Sequence, residues 1–374
     1  MSNIELGFWS FPVLLLMVFL RAPIGLAMLL CGFGGWFMAM GGNPTPLLAK
    51  LKSETYTTFS SYSLTIIPLF LLMGQFATLS GMSSALFRAA ESFVGHRRGG
   101  VAMAAVGACA GFGAICGSSL ATAATMGQVA LPELKRYGYP GSLSTGALAA
   151  GGTLGILIPP SVILVIYAIL AEQNIEKLFV AALIPGILAA LGYVLAISIW
   201  VRVSPNSAAV KDRVPWAQRM VALASVWPVL TIFMLVVGGI YLGIFTPTEA
   251  AAVGAAGTGI AAVASGQMSW AKLRLAILAT ASATAMIYLI ILGAGFYNNF
   301  LALTQLPQGG ACTEPVIVAT PGFAFNHRDQ ILEIAHPMAA QATIKSRARG
   351  LCIESALQNS TQRVFAQNPR PRAP

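Results

Sequence analysis

Two short segments, each of which interrupts a long uncharged stretch, contain the residues that could bind a solute. They are Gly117-Ser118-Ser119 and Pro159-Pro160-Ser161, and each lies in an apolar stretch long enough to sit within a bilayer. Hydroxyl groups and backbone carbonyls at helix breaks can replace the water around a cation, and half-helix N-termini attract anions. Because unsatisfied backbone groups are costly in hydrocarbon, such breaks survive only where protein or water shields them. The two interruptions therefore predict half of a site for a small anion and a cation.

The first interruption predicts a re-entrant hairpin. Residues 99–131 contain no charge, and basic residues flank them on both sides: Arg97, Arg98, Lys135 and Arg136. The positive-inside bias places both flanks on the cytoplasmic side, so the segment enters and leaves by one face. We expect two short helices with a turn among Gly111, Gly113 and residues 117–119. Thr122 and Thr125 follow on the second arm and are expected to line the site.

The second interruption predicts a helix broken in two. Residues 137–171 are uncharged and too long for one straight helix across a hydrocarbon core of about 30 Å. Neither Pro159 nor Pro160 can donate a backbone hydrogen bond, so carbonyls one turn earlier, from Leu154 to Ile156, are expected to be released. Gly155 leaves room for close approach. We expect this break to face the hairpin tip.

A plainer interpretation is that these residues only pack helices together. Glycines four residues apart, as at Gly107–Gly111 and Gly113–Gly117, commonly allow membrane helices to approach closely, and a proline often only kinks a helix. Two breaks that are adjacent in sequence, one of them in a segment that returns to its own face, favour a site over packing alone.

Composition places the chain among all-α polytopic membrane proteins. Of its 374 residues 56% are hydrophobic and 9% charged, against about 25% charged in a typical soluble domain. The net charge of +10 lies mostly in short gaps between apolar segments, which is typical of cytoplasmic loops and predicts a lipid bilayer, not a nucleic acid, as partner. The first apolar run lacks a signal-peptide pattern and is expected to be an uncleaved membrane segment. No paired carboxylates, Cys–His or Ser–Lys arrangement is apparent within the membrane, so we expect neither an enzyme nor a cofactor.

Changes of composition along the chain predict four regions. Residues 1–98 hold N-terminal membrane helices and an interfacial helix with a scaffold role, and residues 99–171 hold the hairpin and the broken helix. Residues 172–308 add further membrane helices, one of them starting at a capping box, Thr246-Pro247-Thr248-Glu249. Residues 309–374 contain no apolar run long enough to cross a membrane and are expected to form a disordered or aberrant tail.

Several ordered strings make the chain similar to a known transporter family. They are Cys116-Gly117-Ser118-Ser119, residues 152–161, residues 182–186 and residues 243–251. Over residues 5–308 the chain closely resembles the large permease subunit of tripartite ATP-independent periplasmic (TRAP) transporters, the DctM-like family. The resemblance implies an elevator-type secondary transporter in the bacterial inner membrane that couples uptake of organic acid anions, such as C4-dicarboxylates, to sodium. It also implies a small four-helix membrane subunit and a periplasmic binding protein as partners.

Carried over by position, the resemblance implies which residues bind substrate and ion. The binding residues carried over are Gly117, Ser118, Ser119, Gly155, Pro159, Pro160 and Ser161, and Ser118 and Ser119 are the expected sodium ligands. Thr122 is added to them from its place on the second hairpin arm. After Gln308 the chain departs from the family pattern, which continues with a second hairpin and a second break. This departure predicts a truncated or out-of-frame end that lacks half of the substrate cage. A single-component secondary anion transporter and an inactive membrane fragment are the alternatives.

Overall fold

The computed structural model describes residues 3–203 and 212–306, and within these ranges the regular structure is entirely helical. The predicted all-α class is therefore confirmed, whereas the prediction for residues 309–374 lies outside the described residues. Residues 10–300 form one compact unit, and residues 3–9 belong with residues 301–306 to a second. In the second unit a Cβ atom on Gly7 would lie 2.6 Å from Thr304 Oγ1, so their close packing requires glycine.

The helices follow one another with short connections. They are α1 (Asn3–Phe19), α2 (Ile24–Ala39), α3 (Pro44–Ser60), α4 (Ile66–Leu79), α5 (Met82–Val94), α6 (Gly100–Cys116), α7 (Ser119–Arg136), α8 (Gly141–Leu157), α9 (Val162–Leu170), α10 (Ile175–Val203), α11 (Trp216–Ala224), α12 (Trp227–Tyr241), α13 (Pro247–Ala264) and α14 (Trp270–Thr304). Pro23 lies directly before α2, and in the link from α1 Arg21 adopts a positive φ of 66°.

Several helices are suited to cross a membrane. In the described ranges three helical stretches are each long and apolar enough: Tyr62–Leu79, which contains α4, and the helices α10 and α14. Two bent pairs could each supply one more span, α8 with α9 at 44° and α11 with α12 at 48°. The predicted broken helix is therefore present, and the chain has the form of a multi-pass membrane protein.

The first arm of the hairpin formed by α6 and α7 lies within the helical core. Almost every residue of α6 is buried, and this helix packs against α4, α5, α7 and α8. A Cβ atom on Gly113 would lie 2.6 Å from the Cα of Gly155, so α6 and α8 touch through their backbones at this point. The helix continues through Gly111 and Gly113, so only Gly117 and Ser118 form the turn. Gly113 thus serves packing, as the plainer interpretation predicts.

The final helices are fixed at their ends by polar contacts. On α14, Asn299 Nδ2 donates to Glu54 Oε2 of α3 at 3.3 Å, and the same carboxylate pairs with Lys50 at 3.1 Å. At the start of α13 the predicted capping box is present. The Glu249 N–H donates to Thr246 Oγ1 at 3.3 Å, and the Thr246 N–H donates to Glu249 Oε2 at 2.9 Å.

We expect Thr246→Ala to lower the free energy of unfolding by about 1 kcal/mol, because it leaves helix N–H groups without an acceptor. Thermal unfolding in detergent measures this loss. Thr248→Ala is the control, since in the described part of the chain the Thr248 hydroxyl makes no hydrogen bond. An equal loss in both variants would show that the cap is not what stabilises this end of α13.

Candidate functional site

The hairpin tip consists of two residues with special backbone conformations. Gly117 has φ 63° and ψ 12°, in the left-handed region that favours glycine, and its N–H donates to the Gly113 carbonyl at 2.8 Å. Ser118 is extended, and its Oγ accepts the N–H of Ala121 at 3.4 Å. This serine cap begins α7, so the N-terminus of α7 lies at the tip.

The break between α8 and α9 is built from Ile158 to Ser161. The Ile158 N–H donates to the Leu154 carbonyl at 2.9 Å, so the expectation that this carbonyl is released was wrong. Pro159 and Pro160, joined by a cis peptide bond, provide no N–H for the carbonyls of Gly155 and Ile156. Ser161 is buried, and its Oγ accepts the Leu164 N–H at 3.5 Å, which begins α9.

The tip and the break are in direct contact. The Val162 N–H donates to the Gly117 carbonyl at 3.3 Å. A Cβ atom on Gly117 would lie 3.0 Å from the Pro160 carbonyl oxygen, a distance tighter than most Cβ contacts. The contact therefore brings the serine-capped N-termini of α7 and α9 to one place, where their partial positive charges act together.

Thr122 supplies a buried oxygen beside this contact. It has 0% exposure, and Oγ1 makes no hydrogen bond within the described part of the chain, although the Cys116 thiol lies close by. A Cβ atom on Gly155 would lie 2.8 Å from Thr122 Oγ1 and 3.0 Å from the Ser118 carbonyl oxygen. Two neutral oxygens thus face Gly155. Because this glycine has no side chain, nothing is inserted between the two oxygens at this point.

Two of the predicted residues lie at the margin. Ser119 is only half-buried, and its carbonyl oxygen faces α8 at Gly152, 3.2 Å from where a Cβ would stand. Thr125 is buried one turn further along α7. Leu120 next to the tip is 83% exposed, so the tip is open on that side. The structure gathers the remaining predicted residues around the contact: Gly117, Ser118, Thr122, Gly155, Pro159, Pro160 and Ser161.

The sequence alone did not single out Gly186 of α10. A Cβ atom on it would lie 3.0 Å from Ile158 Cγ1 and 3.3 Å from the Leu157 carbonyl oxygen. Helix α10 therefore packs directly against the break between α8 and α9. Its place directly after Pro185, in the string 182–186 that carries the family resemblance, was the signal for it.

The arrangement presents neutral oxygens and helix N-termini. Among residues 3–203 and 212–306 no three His, Cys, Asp or Glu side chains are placed to share a metal ion. Neutral carbonyl and hydroxyl oxygens at helix breaks are the kind of ligand that coordinates sodium in membrane transporters, and half-helix N-termini suit a carboxylate. The geometry can therefore hold a monovalent cation and an anionic group at neighbouring positions.

Comparison with known proteins gives one family. Residues 11–310 match the family described as tripartite ATP-independent periplasmic transporter, DctM component. The chain is 38% identical over 261 residues to the C4-dicarboxylate TRAP transporter large permease protein DctM of Pseudomonas aeruginosa. It is 33% identical over 270 residues to the protein of the same name from Rhodobacter capsulatus. It is also 32% identical over 275 residues to the isethionate TRAP transporter permease protein DctMQ of Oleidesulfovibrio alaskensis.

The matches cover more of this chain than of its relatives. They include 69% of the chain and 60% of the Pseudomonas protein, 68% and 61% for the Rhodobacter protein, and 72% and 42% for the Oleidesulfovibrio protein. The chain therefore corresponds to about three fifths of each C4-dicarboxylate relative and less of the isethionate relative.

Proposed function

The chain belongs to the DctM-component family of tripartite ATP-independent periplasmic transporters, and from this premise we propose that it is the large permease subunit of a sodium-coupled importer of organic acid anions. The family is one of transporter permeases, and the helices of this chain are those of a multi-pass integral membrane protein. The names of its relatives include a C4-dicarboxylate and a sulfonate, isethionate. Small organic anions are therefore the substrate class that we assign.

The observation that carries the proposal is the contact between hairpin tip and helix break. The Ser118 carbonyl and the buried Thr122 hydroxyl are the oxygens that we assign to sodium. Ser119, at the margin of the site, is kept as a further proposed ligand. The N-termini of α7 and α9 are assigned to the substrate carboxylate, because the positive ends of their helix dipoles favour an anion. Since Gly117 and Val162 link the two elements through a backbone hydrogen bond, an ion that orders one element also positions the other. This linkage is a physical basis for coupling.

The proposal includes partners and a location. A small four-helix membrane subunit and a periplasmic binding protein are assigned to this chain because its family is tripartite by description. Long apolar faces on α10, for example Ile184, Leu188, Leu191 and Leu195, are exposed and suit either lipid or a membrane partner. We place the assembly in the bacterial inner membrane, where the hairpin and the broken helix would carry the bound solute across in an elevator-type movement.

Uptake by proteoliposomes tests this function. The chain is reconstituted with the small subunit and the binding protein of its own operon, and accumulation of a radiolabelled C4-dicarboxylate is followed with an inward sodium gradient, and with potassium instead. We expect accumulation only with sodium and only when the binding protein is present. Uptake without both partners would favour a single-component transporter. No uptake in liposomes where a full-length family member is active would favour an inactive fragment.

Pro160→Ala tests the break itself. Alanine supplies an N–H that can pair with the Ile156 carbonyl and continue α8, so we expect sodium-dependent uptake to fall about tenfold or more while membrane expression changes little. Ser119→Ala is expected to weaken uptake by a smaller factor. The control is Pro140→Ala, at the N-cap of α8, where no carbonyl is freed. Unchanged sodium dependence in both test variants would contradict the assigned site.

A further inference from the structure

A buried arginine lies at the basic end of the bundle, far along the chain from the candidate site. Arg219 of α11 is only 4% exposed, and its guanidinium lies over two rings, 5.1 Å from the Trp216 centroid and 5.9 Å from that of Phe93. Its Nε donates to the Val214 carbonyl at 2.9 Å, whereas Nη2 is buried and finds no hydrogen-bond partner among the residues that the structure describes. A buried charged donor left unpaired is costly, so this nitrogen is suited to a ligand.

Other unsatisfied donors and positive charges surround it. His96, in the loop after α5, has a buried Nδ1 with no hydrogen-bond partner in the described part of the chain. Desolvation, and then the charges of Arg213, Arg219 and Arg97, lower the pKa of His96, while a hydrogen bond with the Phe93 backbone raises it. The Val214 carbonyl, next to Arg213 in the chain, accepts from Arg219, and Arg219 lies over the Phe93 ring, three residues before His96. These groups therefore lie near one another. The ion pairs found between residues 3–203 and 212–306 include Lys50–Glu54 and Arg136–Glu133, and none involves Arg213 or Arg219. Two carboxylates lie in the same segments, the exposed Asp212 beside Arg213 and the buried Glu91 on α5, so three arginines and His96 leave a small excess of positive charge.

The same helix presents an apolar surface. Trp216 is 67% exposed, and further large apolar side chains of this segment are exposed with it: Met220, Val221, Leu223 and Trp227. Arginine-rich ends are cytoplasmic by the positive-inside bias, and exposed tryptophans are typical of the membrane–water interface. An amphipathic helix of this kind lies at the level of the lipid headgroups.

We propose that Arg219, His96, Arg213 and Arg97 form a site for the phosphodiester headgroup of an anionic phospholipid from the inner leaflet. Arg219 Nη2 and the His96 ring donate to the phosphate oxygens, and the two exposed arginines balance its charge. The lipid chains lie along the exposed apolar side of α11, beside Trp216 and Val221. This site requires only that the chain lies in a membrane, and it does not depend on the proposed transport.

Lipid binding to the detergent-purified full chain tests the proposal. Native mass spectrometry measures the apparent Kd of dioctanoyl phosphatidylglycerol, dioctanoyl phosphatidylcholine and inorganic phosphate. We expect phosphatidylglycerol to bind about tenfold more tightly than phosphatidylcholine, and Arg219→Gln to remove most of that preference, because hydrogen bonds to charged groups contribute on this scale. Arg274→Gln is the control, an exposed arginine at the start of α14 outside the cluster.

A second variant keeps the test decisive if Arg219→Gln does not fold. Arg97 and Arg213 are both exposed, so the double variant Arg97→Gln/Arg213→Gln should leave the fold intact and still weaken phosphatidylglycerol binding about fivefold or more. Equal affinity in this variant and in Arg274→Gln would overturn the proposal. Inorganic phosphate binding as tightly as phosphatidylglycerol would identify a free-anion site and overturn the lipid assignment.

Discussion

Thr122→Val is expected to stabilise the sodium-free protein and to abolish its response to sodium. The Thr122 hydroxyl is buried and has no hydrogen-bond partner among residues 3–203 and 212–306. Such a group costs about 1–3 kcal/mol, which an isosteric valine removes. The sodium-free melting temperature should therefore rise by about 3 °C. At a sodium concentration a hundred times the Kd, sodium should raise the free energy of unfolding of the wild type by about 2.7 kcal/mol. It should leave that of the variant almost unchanged. Melting curves in detergent with sodium or potassium chloride measure both effects.

Thr258→Val is the control for this experiment. Thr258 is equally buried, but its hydroxyl donates to the Gly254 carbonyl at 2.9 Å on α13, away from the hairpin. The sodium response of this variant should match that of wild type. A Thr122→Val protein that is still stabilised by sodium to the wild-type extent would remove Thr122 from the ion site. A lowered sodium-free melting temperature would show that the hydroxyl has a protein partner.

Gly113→Leu is expected to be the most destabilising substitution near the site. Its Cβ would lie 2.6 Å from the Cα and 2.9 Å from the N of Gly155, and because both are backbone atoms no rotamer change can relieve the clash. Helices α6 and α8 must move apart, at a cost of at least the 1–3 kcal/mol typical of overpacked cores. We expect the melting temperature to fall by about 5 °C or more. Since Gly155 faces Thr122 and Ser118, the sodium response should also be lost.

Gly107→Leu separates this packing effect from the effect of removing a glycine. Gly107 lies on the same helix and is exposed, and no atom of residues 3–203 or 212–306 lies within 4 Å of its Cβ position. Leucine there should be neutral or slightly stabilising, since glycine is a poorer helix former by about 1 kcal/mol. Similar melting temperatures for the two variants would contradict the close contact of α6 with α8.

Local sequence chemistry was sufficient to predict the capping box and the position of the break between α8 and α9. Thr246 and Glu249 are three residues apart, and their bonds are to neighbouring backbone, so the pattern alone predicts the geometry. The adjacent prolines 159 and 160 likewise prevent a continuous helix wherever the chain is placed. The sequence also placed the hairpin tip at residues 117–119, but it did not show that α6 continues as a helix through Gly111 and Gly113 up to that turn.

The sequence by itself determined that the chain is an all-α membrane protein with a hairpin and a broken helix, since apolar length, charge position and proline placement act locally. Only the tertiary structure decided that Gly113 packs α6 on Gly155, that the Gly117 carbonyl accepts the Val162 N–H, and that the Thr122 hydroxyl is left unpaired beside them. These facts depend on distances between segments tens of residues apart in the chain. No pattern in the sequence encodes such distances, because they are set by the packing of many side chains at once.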